Sequence, residues 1–89
     1  MANPVFVDCI EDQWTKVATN VTSGVLHKVT EKPYEYLQTY RLTGGAAPVL
    51  KSDGVLAFID NRYELISSSV AIDVYIYAIT GRGRVRVDV

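Results

Sequence analysis

Residues 70–78 read Val70-Ala71-Ile72-Asp73-Val74-Tyr75-Ile76-Tyr77-Ala78. This stretch decides the fold class. Apolar side chains recur at every second position, which is the period of a β-strand and not of a helix. Val70, Ile72, Val74, Ile76 and Ala78 are expected to face the core. Ala71, Asp73, Tyr75 and Tyr77 form an amphipathic second face. Two tyrosines there imply partial cover by another strand or another subunit.

The pattern extends in both directions. Residues 83–89 alternate, with Val85, Val87 and Val89 inward and Arg84, Arg86 and Asp88 outward. A Gly-rich turn separates them from residues 70–78, so the two segments read as a hairpin. Residues 34–42 also alternate: Tyr34, Tyr36, Tyr40 and Leu42 share a face with Gln38. Shorter strand segments are expected at residues 5–7, 14–19, 24–30, 55–59 and 63–67. Turn clusters between them, such as residues 20–24, 43–48, 51–54 and 67–69, recur at the spacing of a sandwich or barrel. The expected fold is all-β. It is a single small β-sandwich (jelly-roll-like) or barrel of about seven to eight short antiparallel strands. One domain covers residues 1–89, with residues 1–12 as an N-terminal arm. Residues 9–13 offer one helical turn at most.

Composition agrees. Val, Ile and Thr together supply 26 of the 89 residues, and these types suit a pleated surface. The chain has nine Lys+Arg against ten Asp+Glu, a formal net charge of -1. Such a chain has no global field to hold nucleic acid or an anionic membrane. One Cys and one His exclude an internal disulfide framework and a Cys-based or His-pair metal site within the sequence. No cofactor is expected.

Single residues add little chemistry. Cys9 reads as a small buried hydrophobe, since no base is placed near it. His27 lies in a strand pattern with no nucleophile and carboxylate converging on it, so a structural or surface role is expected. Asp53-Gly54 reads as a turn rather than a calcium loop, which needs more oxygen donors at tight spacing. Gly44-Gly45 lacks the Lys-Ser/Thr of a phosphate loop. Trp14 is expected in the core. No acid/base pair or activated nucleophile is visible, so the chain is not expected to be an enzyme.

Contact surfaces are the better candidates. Val5, Phe6 and Val7 could pair with a neighbour's open sheet edge. Tyr34, Tyr36, Tyr40, Tyr75 and Tyr77 suit an interface, because the ring is apolar and the hydroxyl tolerates water. Core packing and a sugar-binding face are the alternatives for these rings. Arg82, Arg84 and Arg86 form the one basic cluster. It could be a solvated hairpin or meet a phosphate. It could also pair with Asp8, Glu11 and Asp12, within the chain or across a subunit boundary. Residues 43–54 form the longest irregular stretch and are the first candidate for a contact surface.

Several segments carry a resemblance. They are Trp14-Thr15-Lys16-Val17-Ala18, Val21-Thr22-Ser23-Gly24-Val25-Leu26, Tyr40-Arg41-Leu42-Thr43-Gly44-Gly45-Ala46-Ala47-Pro48 and Ala71-Ile72-Asp73-Val74-Tyr75-Ile76-Tyr77. With the Gly-Arg-Val-Arg-Val-Asp segment that follows, this order resembles small all-β virion structural proteins of tailed bacteriophages. The resemblance implies a capsid decoration (cement) protein that binds and stabilises the head lattice. It implies the major capsid protein or other virion subunits as partners, a homo-oligomer with a trimer favoured, and residence in a virion assembled in the host cytoplasm. The alternative is a receptor- or carbohydrate-binding module of a head fibre, spike or tail. No binding residue is carried over, because the group has no shared site motif to match.

Overall fold

The computed structural model describes residues 5–29, 35–59, 62–79 and 81–89. The strands are β1 (Val5–Cys9), β2 (Trp14–Lys28), β3 (Tyr36–Leu42), β4 (Val55–Ala57), β5 (Tyr63–Ala78) and β6 (Gly83–Asp88). A single 3₁₀ turn, Lys51–Asp53, precedes β4. All six strands belong to one curled, half-barrel sheet in the order β1-β6-β2-β5-β3-β4, and every neighbouring pair is antiparallel. The all-β expectation holds, but the architecture is not the clear seven- to eight-stranded sandwich expected from the sequence.

Two turn signals account for the difference. Residues 20–24 lie inside β2 and residues 67–69 lie inside β5, so four expected strands become two long ones. The two segments face each other. Ser23 pairs with Ser67 and Val21 with Ile72, so four residues of β5 stand opposite Thr22 alone. Further irregularities flank Ala18, and Asn20 adopts φ 56. Extra residues of this kind bend a strand and increase its twist. Here they turn both strands through a corner, so polar, flexible sequence marks a bend rather than a loop.

The corner brings two parts of one sheet face to face. β1, β6 and the second half of β2 supply Cys9, Leu26, Val85 and Val87 to the core, and the start of β5 adds Ile66. The first half of β2, the end of β5, and β3 supply Val17, Ala18, Ile72, Val74, Ile76, Ala78 and Tyr36. Ala57 and Phe58 close the β4 side. Tyr36 crosses the interior so closely that a Cβ on Gly83 would overlap its hydroxyl.

Three further expectations are corrected. β6 does not form a hairpin with β5; it pairs with β1 and β2. The second half of β5 already has β2 on one side and β3 on the other, so no edge is free for β6. Val70 is exposed, because it lies in the bulged corner where alternation fails. Trp14 is outside the main core. Its ring packs edge-to-face on Tyr77 at 5.2 Å on the sheet's outer face, and its Nε1–H donates to the Leu50 carbonyl at 3.2 Å. Residues 9–13, read as one helical turn at most, contain none, which fits that bound; Asp12 has φ 61 and its N–H donates to the Ala78 carbonyl.

Candidate assembly surface

The tyrosines are divided by the fold. Tyr36 is buried in the core, edge-to-face with Phe58 at 5.6 Å and below the Lys28 ammonium at 5.9 Å. Tyr75 and Tyr77 are buried on the other face of β5. Lys16 lies over Tyr75 and Lys51 over Tyr77, each 5.8 Å from the ring centre. Burial, and then the nearby Asp12 carboxylate, push the Tyr77 phenol up from its ordinary value. Tyr40 is exposed, and Tyr34 lies outside the described residues. Among the described residues these rings therefore present no exposed coplanar row. The cover foreseen for the second face of β5 comes from this chain's own Trp14, Lys16 and Lys51.

The segment over that face is residues 43–54. Asp73, buried below it, accepts hydrogen bonds from the Asn20 backbone N–H at 2.9 Å and the Thr43 hydroxyl at 3.0 Å. The Lys16 ammonium adds an ion pair at 3.4 Å. The Asn20 hydrogen bond contributes most to holding the Asp73 carboxyl below its ordinary range, against the opposing effect of burial. One carboxylate thus ties the β2 corner to the start of the long loop. At the loop's other end Gly54 fits closely, since a Cβ there would lie 2.6 Å from the Trp14 ring.

The arginines have partners within the chain. Arg84 Nε donates to Asp8 at 2.9 Å, and its guanidinium lies 5.9 Å from the Phe6 ring centre. That hydrogen bond, and then the Arg84 charge, hold the Asp8 carboxyl low, with a smaller contribution from Arg82. Arg86 forks onto Asp88 at 3.2 and 2.8 Å, and His27 Nε2 lies 3.2 Å from the same carboxylate. The Arg86 hydrogen bond is the main cause of the lowered Asp88 value. Both pairs are well exposed and screened, so they set local geometry more than stability. Cys9 is fully buried, and burial followed by the Asp8 charge pushes its thiol up to about 12. A thiol held protonated at neutral pH is a poor nucleophile.

The two sheet edges are what remain. β1 pairs only with β6, and β4 pairs only with β3, among the described residues. Fifteen large apolar side chains are exposed in the described residues. Eight of them flank the two edges: Val5, Phe6 and Ile10 at β1, and Val49, Leu50, Val55, Leu56 and Ile59 at β4. Val49 and Leu50 fall in the residues 43–54 expected as a contact surface, whereas the rest of the β4 cluster has no counterpart in the interface expected from sequence. Its signal was present, because Val55 and Leu56 follow a turn in a segment too short to alternate clearly. Beside β4 lies an open groove of about 320 Å³, lined by Lys28, Glu35, Tyr36, Leu56, Phe58 and Ile59 among others. No group of three or more His, Cys, Asp or Glu side chains that could hold a metal ion occurs among the described residues. Comparison with protein-family models, curated proteins and solved structures finds no match to this chain.

Proposed function

We propose that this chain is a structural protein of a tailed-bacteriophage virion, a decoration protein that binds the head lattice and its own neighbours. The observation that supports an assembly role is the concentration of exposed apolar side chains at two open sheet edges. An open apolar edge is a hazard for a free monomer and an asset in an assembly, where backbone hydrogen bonds and side-chain burial cover it. The sequence resemblance supplies the virion setting. The partners are the major capsid protein or other virion subunits, and each stable junction buries on the order of 1,000 Å² or more. Seated on a lattice, a small domain gains stability from its neighbours by mass action.

Mass spectrometry of purified virions tests this reading. The chain is expected among the virion proteins at a copy number comparable with the capsid subunits. A few copies per particle would move it to a vertex, neck or tail. Its absence from intact particles overturns the reading.

A further inference from the structure

We infer that copies of this chain join edge to edge, with β4 of one copy lying antiparallel to β1 of the next. The sheets then run on as one. This rests on the self-association in the reading above, and not on what else the assembly touches.

Strand direction carries the first step. All five neighbouring pairs are antiparallel and the sheet has six strands, so β4 runs opposite to β1. Rotating a copy about an axis along the strands brings its β1 beside β4 already antiparallel. The same operation keeps the core-side faces of both sheets on one side. Repeated, it closes a ring. Pairing β1 with β1, or β4 with β4, would instead leave one edge of every copy uncovered.

Side chains carry the second step. Phe6 pairs with Arg86 and points to the outer face, whereas Val5 and Val7 pair with the buried Val87 and Val85 and point inward. On β4, Leu56 pairs with Leu37 and points outward; Ala57 pairs with the buried Tyr36 and points inward, as does Val55. Setting Leu56 opposite Phe6 of the next copy satisfies both faces. Val55 then meets Val7, and Ala57 meets Val5. Val5, Phe6, Val55 and Leu56 are 54%, 53%, 71% and 52% exposed in a single chain. Cross-strand apolar pairs of this kind are the unit of sheet stabilisation.

Directed disulfide formation tests the seam. Phe6→Cys and Leu56→Cys chains, mixed under mild oxidation, are expected to form the mixed disulfide in preference to either like-with-like product. Both positions are exposed, and unchanged thermal melts of each variant establish that it folds. Sedimentation velocity of the unmodified chain is expected to show a closed oligomer. Leu56→Lys is expected to weaken it by about tenfold or more. Preferential Phe6–Phe6 or Leu56–Leu56 crosslinks, or a strict monomer with no crosslink, overturn the seam. A mixed disulfide from a chain absent from virions would sink the virion reading alone. Abundance in virions without that disulfide would sink the seam alone.

Discussion

Gly83 and Tyr36 depend on each other across the interior. A Cβ at position 83 would overlap the Tyr36 hydroxyl and come within 2.6 Å of Cζ and 2.7 Å of Cε1. Tyr36 is 1% exposed, so its ring has no open space to retreat into. Gly83→Ala is therefore expected to destabilise the fold by about 1–3 kcal/mol, the usual cost of overpacking. Urea unfolding measures it, and an unchanged midpoint would refute the contact. Nothing local in the sequence announces this pair. Gly83 reads as one more turn glycine, and Tyr36 as one more residue of an alternating strand. Their meeting follows from the curl of the sheet, which depends on pairings between segments distant in sequence.

At the scale of elements, alternation was legible and its interruption was not. Residues 72–78 deliver Ile72, Val74, Ile76 and Ala78 to the core as their period of two requires. Val70 belongs to the same sequence pattern but falls in the bulged corner. Ile76→Ala is expected to cost about 2–5 kcal/mol, whereas Val70→Thr is expected to stay within about 0.5 kcal/mol. Equal losses in chemical denaturation would mean that the corner lies elsewhere. The polar clusters at residues 20–24 and 67–69 have the composition of turns. Only their mutual pairing makes them one bend in two strands. The second face of β5 was read as covered, but the choice between this chain and a neighbour needed the position of Trp14 and the long loop. The basic cluster posed the same choice, and the Arg84–Asp8 bond places one of its contacts within the chain.

The whole molecule is compact despite its open edges. Its radius of gyration is 11.9 Å, against about 12 Å expected for a folded chain of this length. The exposed apolar side chains are thus a property of the surface and not of loose packing. Acid should loosen the structure. Asp8, Asp73 and Asp88 all have carboxyls held below their ordinary values. Their stabilising contribution is full above the unfolded value of about 3.9. It is lost as pH falls through the lower folded values. The thermal midpoint is expected to drop below about pH 4. Asp73→Asn should flatten part of that fall, and a midpoint constant from pH 5 to pH 2 would contradict the bonding described.

The pairing of β1 with β6 has a consequence for synthesis. Residues 5–9 find their partner in residues 83–87, with all four other strands encoded between them. During synthesis β1 must wait for β6. Through that interval Val5, Phe6 and Val7 have no sheet to join, while β2 and β5 can already begin to pair. Such long-range closure is intrinsically slow and leaves strand edges open to wrong partners. The nascent chain therefore carries the apolar Val5-Phe6-Val7 segment unpaired until residues 83–87 are made, which makes that segment a natural place for a chaperone to bind.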